Sequence, residues 1–115
     1  RTTGTLVCHR AHRMDDAPLL DVGDKDITAH VNFTDVALAA QDAGLCILGY
    51  TSQGRFLANC GIGPMMDAAD LPTRATALKL LAEHEMGELF KVIAVATGSG
   101  WDALGFAAGD RTHRL

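Results

Sequence analysis

Three short segments carry most of the side chains able to do chemistry. Cys8-His9-Arg10-Ala11-His12-Arg13 sets a thiol, two imidazoles and two guanidiniums within six residues. Asp26-Ile27-Thr28-Ala29-His30 adds a carboxylate and a third imidazole just ahead of a helix signal. Val92 to Gly100 leads an apolar run into Gly98-Ser99-Gly100. Imidazoles exchange protons near neutral pH, and carboxylates grip guanidiniums in a two-pronged geometry. A glycine turn after a strand lets a backbone approach a nucleotide or S-adenosylmethionine closely.

Each segment has a plainer alternative. Cys8 and the two histidines suggest a metal site, but strand alternation sends Cys8 and His12 to one face and His9 to the other. Cys46 and Cys60 stand alone, and His84 and His113 are isolated, so no second ligand pair completes a zinc set. No metal is expected. The glycine turn requires a following helix, a second strand and an acid about 20 residues on. Only 15 residues follow Gly100, and Gly105 and Gly109 are among them. A plain terminal turn is the better reading.

The cluster His9, His12 and Arg13 is different. It lies at the C-terminal end of a strand, where open α/β sheets bind ligands, with a solvated strand end as the competing reading. His30 and Asp26 are candidates for acid–base or orienting roles; a helix entry capped by Asn32 and anchored by Phe33 is the alternative. The acids Glu83, Glu85 and Glu88 around His84 read as a solvated helix end, and Trp101 as packing. No nucleophile elbow, P-loop or H-E-x-x-H occurs.

The elements that would position these groups alternate. Thr5 to His9 reads as a buried strand. Arg10 to Asp26, with Pro18, Gly23 and five aspartates, reads as a long loop. A helix follows from Asn32 to Ala43, stopped by Gly44. Leu45 to Tyr50 is the next strand. Ser52 caps a short helix that reaches Cys60, and Gly61 to Pro72 is a loop. Thr73 caps a helix to about Glu85, with Ala77, Leu78, Leu81 and Ala82 as its apolar stripe. Phe90 to Ala96 is the last strand, and Gly105 to Leu115 a tail with a polar end. The class is α/β.

Composition bounds the function. The chain has 115 residues, 48% hydrophobic and 21% charged, enough for a core that hides about 65% of the unfolded surface. It is one domain or part of one. A net charge of −4 argues against a dedicated nucleic-acid binder, despite arginines near both ends. No uncharged stretch is long enough to span a bilayer. Three cysteines without a C-x-x-C pair read as reduced, mostly buried thiols of a cytosolic protein. The start at Arg1, directly before a core strand, suggests the back part of a longer protein.

Gly4 to Arg13, Asp26 to Phe33 and Glu85 to Val92 together resemble the C-terminal part of the MidA-like methyltransferases. Gly49 to Gln53 with Phe56-Leu57, and the tail from Gly105 to Leu115, extend the resemblance over nearly the whole chain. It implies strands five, six and seven, with their helices, of a class I S-adenosylmethionine-dependent methyltransferase, a Rossmann-like sheet. Thr5 to His9 would be strand five, and the stretch after Ala43-Gly44-Leu45 strand six. Phe90 to Ala96 would be strand seven, inserted antiparallel between them. The implied activity of mitochondrial members is symmetric dimethylation of an arginine on a core subunit of respiratory complex I. The family's cofactor loop and ribose-binding acid lie further N-terminal, so no cofactor residue is carried over. This chain alone is expected neither to hold S-adenosylmethionine nor to methylate. The expected substrate-side residues are His9, His12 and Arg13, with Asp26 and His30 as catalytic candidates. A protein substrate, no nucleic acid and no membrane span are expected, and a homodimer is possible. The expected location is the cytoplasm, or the mitochondrial matrix in a eukaryote. The competing class is a non-catalytic α/β module whose Arg10–Asp26 loop docks a partner. A thiol redox role for Cys8 is a third option.

Overall fold

The computed structural model describes residues 6–10, 13–98 and 101–115. They form two compact units, Arg1–Asn32 and Phe33–Leu115. The fold is mixed α/β with two small antiparallel sheets.

In the first unit, β1 (Val7–Arg10) is the middle strand, flanked by β2 (Arg13–Asp15) and β3 (Asp26–Thr28). Cys8 faces Asp15 on one side and Ile27 on the other, and it is fully buried. Two short strands thus sit where the sequence suggests loop. They are exposed and mostly polar, so no apolar alternation announces them. Their order comes from the backbone edges of β1. Both edges of Cys8 and His9 are taken by these neighbours.

The second unit opens with α1 (Phe33–Asp42), the helix expected from Asn32 to Ala43. Ala37 and Ala40, three apart, form its buried stripe. Its end is a Schellman motif. Gly44, at φ 81°, donates to the Gln41 carbonyl, and Leu45 donates to that of Ala40. Then β4 (Cys46–Ser52) pairs antiparallel with β5 (Lys91–Ala96), with a register irregularity between Ile47 and Gly49. This pairing agrees with the antiparallel run expected of the last strand beside strand six. The other expected neighbour, β1, has β2 and β3 on its edges instead.

Helix α2 (Gln53–Asn59) is capped as the sequence suggests: Ser52 Oγ accepts from the Arg55 N–H at 3.2 Å. A helix the sequence reading did not expect, α3 (Ile62–Asp67), occupies part of the Gly61–Pro72 loop. Next, α4 (Leu71–Leu81) starts three residues earlier than expected. Its cap is Asp70, whose carboxylate accepts from the Thr73 N–H at 2.8 Å, and Pro72 fits the first turn, where no partner for its nitrogen is needed. It ends at Leu81, not Glu85, and Leu78 of the expected stripe is exposed. A single turn, α5 (Met86–Leu89), then leads into β5.

The expected polar tail is tied down. Leu104–Phe106 and Thr112–Arg114 form two short 3-10 turns, and Phe106 is buried. Phe106 packs edge-on to Phe56, with centroids 5.5 Å apart, and lies against the backbone of Gly49, where any Cβ would collide with its ring. Asn59 Nδ2 donates to the Gly105 and Ala108 carbonyls, both at 2.8 Å. Thr51, fully buried, donates its hydroxyl to Gly109 O at 2.8 Å. Trp101, expected to pack, is largely exposed, as is Cys60.

Candidate functional site

The three-stranded sheet puts two of the expected site residues in register. His9 of β1 lies directly opposite Asp26 of β3, with their side chains on one face. Val7, Met14 and Thr28 share that face, while Cys8, Asp15 and Ile27 take the other. The sequence does not single out Thr28, yet its hydroxyl is a hydrogen-bond partner of His9. Thr28 Oγ1 reaches the Val7 carbonyl at 3.3 Å and His9 Nε2 at 3.2 Å. A hydroxyl has one proton to give, so with that proton on Val7 O the His9 Nε2 is the donor, and with it on Nε2 the ring accepts. A half-buried imidazole facing a carboxylate across a strand pair has residue types suited to proton transfer.

The other candidates are placed differently. Arg13 opens β2, exposed, opposite Arg10. His30 follows two residues after β3 and is exposed. His12 lies outside the described residues.

Below the sheet's turn, Lys25 and Asp15 form a pair that residue types alone did not reveal. The Lys25 side chain is 6% exposed, and its ammonium reaches Asp15 at 3.0 Å and the Ala17 carbonyl at 3.1 Å. The Ala17 N–H on Asp15 at 2.8 Å, followed by Lys25, holds the Asp15 carboxyl below the usual carboxylate range.

In the second unit Glu88 is not the solvated helix end the sequence suggests. Arg111 grips both its oxygens, at 2.7 and 3.2 Å. Lys91 binds its carboxylate at 3.2 Å and its carbonyl oxygen. The Arg111 guanidinium in particular lowers the Glu88 carboxyl from 4.5 to about 2. Asp110 Oδ1 accepts from the Tyr50 and Thr112 N–H groups and from the Thr112 hydroxyl. Burial pushes its carboxyl up, but these bonds outweigh it and leave the carboxyl lowered. Beside it lies a hollow of about 580 Å³, lined by Leu48, Asp102, Leu104, Phe106 and Asp110. Among the described residues no group of three His, Cys, Asp or Glu side chains could hold a metal ion. Among them, too, no helix is long and apolar enough to cross a membrane.

Residues 1–51, which hold the whole His9–Asp26 face, match a family model described as "Putative S-adenosyl-L-methionine-dependent methyltransferase". The chain is similar to methyltransferases. A crystal structure from Burkholderia thailandensis, described as "a COG1565 superfamily member and likely methyl transferase" bound to S-adenosyl-homocysteine, is 46% identical, with a TM-score of 0.87. The match covers 100% of this chain and 32% of that one. A native structure of a COG1565 superfamily protein from the same organism gives the same identity and TM-score over 33% of its length. The chain thus spans about a third of the length of these solved relatives. No curated protein matches it. At this identity and TM-score the fold is that of the corresponding third of a COG1565 protein.

Proposed function

We propose that this chain forms the substrate-side wall of an S-adenosylmethionine-dependent methyltransferase. The observation that carries the reading is 46% identity, along the entire chain, to a protein bound to S-adenosyl-homocysteine, the form the methyl donor takes after transfer. The glycine turn after β5 supplies no donor-binding loop. β5 leads through Gly98 toward the 3-10 turn at Leu104–Phe106, and not into an α-helix whose N-terminus could take a carboxylate or phosphate. On this reading the chain is the C-terminal part of a methyltransferase domain, the cofactor is held by an N-terminal part, and this chain alone is inactive.

The finer reading rests on the MidA-like resemblance. It makes the enzyme MidA-like and the substrate a protein arginine on a complex I core subunit, in the cytoplasm or the mitochondrial matrix, with a homodimer compatible. Methyl transfer needs mainly alignment of donor and acceptor. Asp26 would hold the guanidinium by charge-assisted hydrogen bonds. His30 would accept the released proton. His9, His12 and Arg13 would line the substrate path, with the His9 ring offering a second proton acceptor.

The test is calorimetric titration of S-adenosylmethionine into the intact product of the gene containing this sequence, with a methylation assay by mass spectrometry. Micromolar binding is expected. Asp26→Ala and His30→Ala should each lower methyl transfer at least tenfold without changing cofactor affinity. Full activity in both variants removes their catalytic roles. A folded protein that binds no cofactor overturns the enzyme reading and leaves the binding module.

A further inference from the structure

We propose that the turn segment from Ala17 to Asp24 is a docking arm for a second protein, one that offers an apolar socket within a basic rim. The arm presents Leu19, Leu20 and Val22 at 87%, 63% and 75% exposure. Leu19 and Val22 are three positions apart, within about 11 Å along the chain, so the three exposed aliphatics lie on one short turn segment. Exposed apolar patches rimmed by polar groups mark interaction sites.

Two further observations favour a partner over an idle loop. The arm is built rigidly. Leu20 N–H closes a turn on Ala17 O, and Asp24 N–H closes a second on Asp21 O, with Gly23 at φ 92°. Its base is clamped by the buried Lys25 ammonium on Asp15 and Ala17, and its middle by Arg10 on Asp21 at 3.2 Å. A patch held in one conformation loses little entropy on binding. The rim is also predominantly acidic. Five aspartates and one lysine lie between Met14 and Asp26. Lys25 is spent on Asp15 and Arg10 on Asp21, while Asp16, Asp24 and Asp26 pair with no cation among the described residues. An acidic rim steers toward a basic partner and repels an acidic one. Other exposed apolar side chains, such as Met65, Leu71 and Leu89, lie on helices of the second unit. The exposures are those of this chain, and docking depends on the arm staying uncovered in the longer protein that the methyltransferase reading requires.

The experiment uses the intact gene product and three fluorescein-labelled twelve-residue peptides read by anisotropy. One is built from Leu, Phe, Arg and Gly. The second has Glu for Arg, and the third has Ser for Leu and Phe. Only the first should bind, more weakly at high salt. Leu19→Ser/Leu20→Ser/Val22→Ser and, separately, Asp16→Asn/Asp24→Asn should each weaken it at least tenfold with an unchanged melting temperature. Equal binding of the acidic peptide, or unchanged affinity in both variants, overturns the proposal. So does failure of all three peptides. Thiol labelling of Leu19→Cys then tells which way it failed: slow labelling means the arm is covered by another segment of its own chain, and fast labelling means no partner of this chemistry. S-adenosylmethionine titration of the same samples reads the enzyme proposal separately, since loss of one binding event leaves the other intact.

Discussion

One hydroxyl, that of Thr28, lies within reach of both Val7 O and His9 Nε2. With its proton on Val7 O, Nε2 is the donor. Thr28→Val keeps the β-branched shape and removes the acceptor. Nitrogen NMR of the imidazoles should show His9 protonated at Nε2 in the native protein and a tautomer mixture in the variant. An unchanged spectrum would remove Thr28 from the role. The Glu88–Arg111 pair is the residue-scale surprise of the second unit. Its partners lie 23 positions apart, and each by itself reads as surface charge.

At the scale of elements, two devices hold the second unit. The first is capping. Asp70→Ala should cost about 1 kcal/mol of stability, and Asp70→Asn much less, since the amide oxygen can still accept from Thr73. Urea denaturation of both variants checks this; equal losses would deny the cap its part. The second device is the closeness of β4 to the Leu104–Phe106 turn. Gly49 leaves no room for a Cβ against the Phe106 ring. Gly49→Ala should therefore destabilise by about 1–3 kcal/mol, the usual range for overpacking a filled core. Phe106→Leu in the same background should recover part of that loss, because it removes the obstructing ring. Failure of that rescue would place the cost elsewhere.

For the whole molecule, pH dependence gathers the carboxylates. A carboxylate held below its unfolded value stabilises the fold above that value and loses the contribution as pH falls through the folded one. Glu88 is held at about 2 against an ordinary 4.5, so its share is complete above about pH 4.5 and fades toward pH 2. The full shift would be worth roughly 3 kcal/mol. The Glu88 side chain is 42% exposed, and solvent screening reduces this to about 1 kcal/mol. Asp15, Asp70 and Asp110 are lowered too and act in the same direction. Thermal melts should show stability falling below pH 4.5, with a shallower fall in Arg111→Ala. Identical acid profiles for the two proteins would contradict the assignment.

Local signals in the sequence determined α1 with its glycine stop, the Ser52 cap, and strands β1, β4 and β5. Each depends on neighbours within a few positions: an apolar period, a side-chain oxygen three residues before an N–H, a glycine free to take positive φ. The same local view singled out His9 and Asp26 as candidates by residue type and position. Only the tertiary structure decided what long-range pairing decides. The short polar strands β2 and β3 exist because β1 offers two edges. His9 lies opposite Asp26 because the strand register places it there. Lys25 is buried on Asp15, and Arg111 closes on Glu88, through contacts with no periodic trace. Hydrogen bonds and ion pairs of this kind depend on distances in space, and residue types spaced along a chain do not record them.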